Sequence, residues 1–134
     1  MKYLLDVNTL VAWGWEDHAE HSRVARWVRQ QRSNPGSLLL TSAIPQLGFV
    51  RVSVQRAVGQ VTVGEAVEIL AGMLAALGDR HEFVPDNQMA RDFPAWCRTA
   101  AQTTDAHLGN LAQSLGAKLA TCDQGIPGTL LIPR

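Results

Sequence analysis

Three aspartates occupy positions that suit a divalent metal ion. Asp6 ends the first apolar strand, Asp123 follows a later one, and Asp105 precedes the buried stripe of a helix. In open parallel sheets the carboxyl ends of the strands face one crevice, so these carboxylates are expected to converge there. Converging carboxylates repel one another, and a cation that prefers oxygen ligands, Mg²⁺ or Mn²⁺, relieves that repulsion. We therefore predict that Asp6, Asp105 and Asp123 hold such an ion.

Each aspartate also has an interpretation that needs no metal. Asp105 lies in the first turn of a predicted helix, where a negative charge complements the helix dipole. Asp123 lies in the sequence Cys-Asp-Gln-Gly, which is typical of a turn. Asp6 is harder to explain this way, because an unpaired carboxylate directly after a core strand is costly. Taken together, the three positions favour a shared metal site.

Short apolar runs alternate with helical patterns along the chain. The runs, bounded by turn signals, indicate strands buried on both faces. We place these strands at residues 3–7, 38–41, 81–84, 118–122 and 129–132. Apolar residues three and four apart predict helices between them. One helix is capped by Asn8 or Thr9, and the others span residues 17–32, 42–58, 62–77, 94–96 and 103–115.

The order of these elements predicts the fold class. Strands that alternate with helices form right-handed βαβ units, so we expect an α/β fold: a three-layer α/β/α sandwich with a short, mostly parallel central sheet. A length of 134 residues fits one domain over residues 1–134. The apolar faces of the two middle helices are predicted to be buried: Leu47, Val50, Val54 and Val58 in one, and Val63, Val67, Leu70, Leu74 and Leu77 in the other.

Composition excludes several classes of protein. With 46% hydrophobic and 18% charged residues, the chain can bury enough apolar surface to fold. No apolar run is long enough to span a bilayer. Asp6 comes too early for a secretory signal, so we expect a cytoplasmic protein. Cys97 and Cys122 have neither metal-ligand nor disulfide spacing. The formal net charge of zero means that any nucleic-acid binding must depend on local placement of charges.

Basic residues and histidines near these elements have less specific interpretations. Four arginines recur every third residue in one predicted helix: Arg23, Arg26, Arg29 and Arg32. Successive side chains are then about 60° apart, which predicts a solvent-exposed face and not a phosphate-binding stripe. His107 is two positions from Asp105, so it is predicted to point away from the metal.

Three blocks of sequence together resemble the PIN-domain nucleases. The blocks are Leu-Leu-Asp-Val-Asn-Thr-Leu from Leu4, Thr-Asp-Ala-His-Leu from Thr104, and Lys-Leu-Ala-Thr-Cys-Asp from Lys118. Their order, their spacing and the chain length are similar to those of the toxin branch, the VapC-type ribonucleases of bacterial type II toxin–antitoxin pairs. No single block is specific, whereas the ordered set is, and the similarity covers almost the whole chain.

The resemblance implies a metal-dependent endoribonuclease that acts as a toxin. In that family the acids matching Asp6, Asp105 and Asp123 hold Mg²⁺ or Mn²⁺, which activates water to attack an RNA phosphodiester. The matched Thr121 would orient a ligand or the water. The expected partners are RNA, a cognate antitoxin protein and a second copy in a homodimer, without a membrane.

One position departs from the family pattern. The family has a glutamate shortly before Gly-Phe-Val-Arg, and this chain has Gln46 there. Glutamine keeps an oxygen that can ligate or position water, but it removes one negative charge. Gln46 therefore raises an alternative, a PIN-fold domain with weakened or lost catalysis that binds RNA or a partner protein.

A second enzyme class shares a short pattern with the N-terminal block. Asp6-Val7-Asn8-Thr9 is faintly similar to the Asp-x-Asp-x-Thr loop of aspartyl-phosphate phosphatases. In those enzymes the second acid donates a proton, and Asn8 cannot do so. The chain is also short for that family, so this alternative is disfavoured.

Overall fold

A parallel sheet lies at the centre of the chain, and the computed structural model describes all residues from 1 to 134. The strands lie in the order β3-β2-β1-β4-β5, and every neighbouring pair is parallel. Their bounds are Lys2–Leu5 (β1), Leu38–Thr41 (β2), His81–Phe83 (β3), Lys118–Thr121 (β4) and Leu130–Leu131 (β5). The chain moves from β1 to one side for β2 and β3 and to the other for β4 and β5. This places a topological switch point between β1 and β4.

Five helices cover the sheet. Their bounds are Val7–Gly14 (α1), His21–Arg32 (α2), Ala43–Ala57 (α3), Val63–Leu77 (α4) and Thr103–Ser114 (α5), with 3₁₀ turns at Gly78–Arg80 and Ala100–Gln102. None of these helices combines the length and apolar character needed to cross a bilayer.

The helix predicted at residues 94–96 is wrong. The chain makes a single turn there, in which the Cys97 N–H donates to the Pro94 carbonyl at 2.9 Å. Thr99 then caps the 3₁₀ turn that precedes α5, so too few residues remain for a helix between Pro94 and that cap.

The two faces of the sheet bury different helices, which confirms the predicted three-layer sandwich. Leu5 and Leu39 point toward α1, α2, α3 and α4 and join the larger core cluster with Trp27. Leu4 and Leu40 point the other way and pack against the apolar face of α5. Because side chains alternate along a strand, the residue after Leu5 points toward α5. That residue is Asp6.

The predicted buried faces of α3 and α4 are wrong in part. Four of the residues predicted to be buried are exposed: Leu47 in α3, Val58 directly after α3, and Val63 and Val67 in α4. The buried residues of α3 are Pro45, Gly48, Phe49 and Ser53. A helix approaches its neighbour most closely through small residues, so α3 packs on α1 through Gly48. Leu47 is then exposed, while Val50 packs against the core. The pattern of apolar spacing does not record which of two usable faces packs inward.

Gly48 sets the distance between α1 and α3. A Cβ built at Gly48 would lie 2.5 Å from Cγ2 and 2.8 Å from Cγ1 of Val7. Val7 is β-branched and cannot move away by rotation alone. We expect Gly48→Ala to lower the free energy of unfolding by about 1–3 kcal/mol, measured by denaturant titration.

Gly72→Ala is the matched control for this substitution. Gly72 also lies inside a helix, but a Cβ at Gly72 would have open space around it, with no atom within 4 Å. Alanine there should stabilise the protein by about 0.5–1 kcal/mol. Equal effects of the two substitutions would contradict the close contact between α1 and α3.

Candidate functional site

Asp6 is the junction between β1 and α1. Its backbone is extended, with ψ at 173°, and its Oδ1 accepts a hydrogen bond from the Thr9 N–H at 2.7 Å. Asp6 is therefore the N-cap of α1, so the predicted caps Asn8 and Thr9 are wrong. The strand ends at Leu5 and not at Val7 for the same reason. Although only 2% of its surface is exposed, the carboxylate stands at the carboxyl edge of the sheet.

Thr121 lies beside Asp6 on the neighbouring strand. Leu5 pairs with Ala120 in the β1–β4 register, which brings the next residues along the chain, Asp6 and Thr121, level with each other. The Thr121 hydroxyl accepts the backbone N–H of Asp123 at 3.0 Å, and the same side chain lowers the pKa of Asp6 by stabilising its ionised form. One buried hydroxyl thus connects two of the predicted metal ligands.

Asp105 completes the acidic group from the opposite layer. It is the third residue of α5 and is partly buried. Burial raises the pKa of Asp105 to about 6, with the negative charges of Asp6 and Asp123 acting in the same direction. These charges act on one another across two strands and a helix, so the three aspartates share one region of the molecule.

The electrostatics of this region fit a divalent cation. Burial also raises the pKa of Asp6, although hydrogen bonds from Thr121 and Thr9 lower it in part. Neither Asp6 nor Asp105 forms a salt bridge with a Lys or Arg side chain. Ser42, which the register places level with Asp6 directly after β2, has a buried Oγ without a hydrogen-bond partner. Carboxylate and hydroxyl oxygens without a balancing cation are the donor set of Mg²⁺ and Mn²⁺.

Asp123 is the least constrained of the three acids. Its side chain is exposed, and its Oδ1 accepts the Gly125 N–H at 2.8 Å, which is the turn that the sequence allowed as an alternative. As arranged in this structure, no group of three His, Cys, Asp or Glu side chains lies close enough together to hold a metal ion. Mutual repulsion keeps ionised carboxylates apart, so an open arrangement is the expected one for these side chains alone.

Gln46 is held by residues that the sequence analysis did not single out. Its Nε2 donates to the Thr41 Oγ1 at 3.0 Å, and that oxygen lies 2.7 Å from His81 Nε2. Burial lowers the pKa of His81, which favours the neutral ring. The amide of Gln46 is therefore tied to Thr41 and not to an aspartate. The position of Thr41 at the end of a strand was the available signal.

Comparison with known proteins places the chain in a family. The model of the PIN domain matches residues 3–128. The ribonuclease VapC39 of Mycobacterium tuberculosis is 38% identical over 132 residues, which cover 94% of this chain and 91% of that protein. The ribonucleases VapC38 and VapC44 of the same organism are each 34% identical, over 92% and 94% of this chain and 86% and 89% of their own lengths.

This chain is a VapC-type PIN-domain protein. The match spans both strands of the switch point and the whole of α5, so all the residues described above lie inside the PIN domain. The resemblance inferred from the three sequence blocks is confirmed.

Two further polar groups make contacts with residues other than the three aspartates. His107 Nε2 lies 2.7 Å from Asp86 Oδ2, and this pair connects α5 to the segment after β3. Arg23 is buried, which makes the prediction of a fully solvent-exposed arginine face wrong. Its Nε donates to the Ile132 carbonyl at 2.8 Å and its Nη1 to Glu20 Oε2 at 3.0 Å. The periodicity of the arginines could not show that one of them anchors the C-terminal segment.

Proposed function

We propose that this chain, as a single domain, is an endoribonuclease that uses Mg²⁺ or Mn²⁺ and acts as the toxin of a toxin–antitoxin pair. The observation that carries the proposal is that Asp6, Asp105 and Asp123 influence one another electrostatically at the switch point, while none of them forms a salt bridge. Relatives named as ribonucleases over more than nine-tenths of the chain support the reaction class.

Each residue of the site has a proposed role. Asp6, Asp105 and Asp123 hold the cation, which when bound would activate a water molecule and stabilise the leaving oxygen of the phosphodiester. Thr121 orients Asp6 through its hydroxyl and fixes the backbone at Asp123. Gln46 positions water or RNA through its amide. The cap at Thr9 keeps the Asp6 carboxylate in place when substrate binds.

Cleavage assays with controlled metal content test this function. The purified chain is incubated with structured RNAs in Mg²⁺, in Mn²⁺ and in EDTA, and the products are resolved at nucleotide resolution. We expect internal cleavage with either metal and none in EDTA. Cleavage that persists in EDTA would contradict the metal-dependent reaction, and RNA binding without cleavage would favour the non-catalytic alternative.

The alternative function depends on Gln46. Its amide contacts Thr41, and it lacks the negative charge of the glutamate that the family has at this position. A glutamate at this position cannot donate to Thr41, and it restores the negative charge that the family has there. We expect Gln46→Glu to raise Mg²⁺ affinity by about tenfold, measured by calorimetric titration, with a parallel rise in cleavage rate.

Gln55→Glu adds the same charge to an exposed site on the same helix and should leave both quantities unchanged. An unchanged Mg²⁺ affinity in Gln46→Glu would show that the missing carboxylate does not limit the site.

Two protein partners complete the proposal, a cognate antitoxin and a second copy of the chain. The homodimer is supported by aliphatic side chains that α3 and α4 leave exposed. Leu47 and Val58 are 69% and 83% exposed, and Val63 and Val67 on the neighbouring helix are exposed as well. Burying such side chains contributes about 1.5–3 kcal/mol each, so a shared face on α3 and α4 would stabilise a dimer.

A double substitution tests this dimer face. We expect the wild-type protein to sediment as a dimer and Leu47→Glu with Val58→Glu to sediment as a monomer. Met89→Glu is the control, because Met89 is similarly exposed but lies in the loop after β3. A double variant that stays dimeric would place the interface elsewhere.

A further inference from the structure

A cavity of about 330 Å³ opens beside Asp123 and has no role in the chemistry above. We call it the β4 cavity. α1 contributes Asn8 and Ala12 to its wall, the turn before α2 contributes His18 and Glu20, and the rest comes from the end of β4: Thr121, Cys122 and Asp123. Pockets for small molecules have volumes of roughly 300–1,000 Å³, so the β4 cavity has room for a single nucleoside.

The lining of the β4 cavity suits a neutral group with N–H donors better than a free anion. Its wall contains the carboxylates of Glu20 and Asp123 and no Lys or Arg. An anionic group would be repelled, whereas a neutral group with N–H donors would find acceptors. The small side chain of Ala12 and the thiol of Cys122 add an apolar surface against which a flat ring can lie.

Glu20 is a preorganised acceptor in this wall. Arg23 donates to its Oε2 at 3.0 Å and is itself held by the Ile132 carbonyl. The backbone N–H of Glu20 donates to His18 Nδ1 at 3.0 Å, which fixes the turn. Its other oxygen, Oε1, makes no hydrogen bond within the chain. Because Arg23 already balances the charge, a neutral donor suits Oε1 better than a second cation.

We infer that the β4 cavity holds the nucleobase adjacent to the cleaved phosphodiester, and that Glu20 selects bases with an exocyclic amino group. This inference rests on the proposed ribonuclease function, since Asp123 belongs to both the site and the cavity. Proteins recognise single-stranded RNA by bases turned out of the stack and read on their edges. Carboxylates accept hydrogen bonds from amino groups of such bases.

The chemistry of the bases predicts the order of preference. Guanine presents adjacent N–H and amino donors to a carboxylate, and cytosine and adenine each present an amino group. Uracil has one N–H between two carbonyl oxygens, which a carboxylate repels. Guanosine, cytidine and adenosine should therefore bind more tightly than uridine.

Nucleoside titrations test the inference without cleavage. Each of the four nucleosides is added to the metal-free protein, and the resonances of the His18 ring and the Asn8 amide are followed by NMR. We expect uridine to bind at least about fivefold more weakly than the other three. Glu20→Gln keeps an acceptor for Arg23 but should remove this difference, and Glu16→Gln, exposed in the same turn, should retain it. If Glu20→Gln does not fold, Asn8→Ala should weaken all three amino-bearing nucleosides.

The outcomes separate the cavity from the reaction. Equal binding of all four nucleosides would overturn the inference. A response to N-acetylarginine amide and to no nucleoside would also overturn it, and would identify a cavity for a basic protein partner. Nucleoside selectivity in a protein that cleaves no RNA would overturn the proposed function and leave the β4 cavity as a base site. The rate of RNA cleavage can also be compared between substrates with and without an amino-bearing base beside the cut, and between the wild type and Glu20→Gln. If neither comparison changed the rate, the inference would be overturned and the proposed function would stand.

Discussion

An Asp6→Asn variant is expected to lose RNA cleavage by on the order of a thousandfold while it remains folded. Asp6 is the most buried of the three aspartates, and burial raises its pKa because the ionised carboxylate loses its solvation, with the charge of Asp123 acting in the same direction. In the proposed reaction this charge serves to hold the cation. Asparagine keeps one oxygen but removes the charge, so the metal affinity should fall with the rate.

The same substitution should not harm the metal-free fold. Asparagine is as good an N-cap as aspartate, so its Oδ1 can still accept the Thr9 N–H. Removing a buried, uncompensated carboxylate also removes a desolvation cost. We therefore expect the melting temperature of metal-free Asp6→Asn to equal or exceed that of the wild type, measured by calorimetry in EDTA.

Asp6→Ala separates the two roles of this residue. Alanine removes both the charge and the cap, and loss of an N-cap costs about 1 kcal/mol. It should therefore be as inactive as Asp6→Asn but less stable. If Asp6→Asn cleaved RNA within a few fold of the wild-type rate, Asp6 would be a helix cap and not a metal ligand.

The double role of Asp6 illustrates what the sequence can predict. Apolar runs identified β2 at its observed bounds and the order of strands and helices, because buried parallel strands have a composition that little else shares. The two elements that meet at Asp6 were less well placed. Asp6 both follows the strand and caps the helix. The spacing of apolar residues gives no signal for a polar residue at such a junction.

Other errors have a different physical origin. The outward face of α3 and the burial of Arg23 depend on which neighbour packs against each helix, and no local pattern contains that information. The link from Gln46 through Thr41 to His81 joins residues on three elements. The adjacency of Asp6 and Thr121 was easier to predict, since the ends of parallel strands lie at one edge of the sheet whatever the packing of the helices. The metal site at this edge stays a prediction.

Without metal, the stability of the protein should fall as the pH rises through the pKa of Asp105. Burial raises this pKa from 3.8 to about 6, with the charges of Asp6 and Asp123 acting in the same direction. Between these two values the folded protein binds more protons than the unfolded chain, so unfolding becomes easier with increasing pH. The stability that the protonated side chain contributes is fully present below pH 3.8 and is lost above about pH 6.

The measurement compares melting temperatures of the wild type and Asp105→Asn in EDTA across this range. As the pH rises across this range, the melting temperature of the wild type should fall by on the order of 5 °C relative to that of the variant. Asp79→Asn is the control, because Asp79 is exposed and outside the site, and it should follow the wild type. A parallel response of Asp105→Asn and the wild type would show that the pKa of Asp105 is not raised in the folded protein.

Saturating Mg²⁺ should reverse the sign of this dependence. A cation binds the ionised carboxylates, so binding near pH 6 releases protons and strengthens as the pH rises. At about a hundredfold excess over the dissociation constant the ion adds about 2.7 kcal/mol to the stability of the folded state. The carboxylate charge that destabilises the metal-free protein is then the charge that binds the cation and stabilises the metal-bound protein. If Mg²⁺ left the melting temperature of the wild type unchanged at neutral pH, the aspartates would be a source of strain without the proposed ligand.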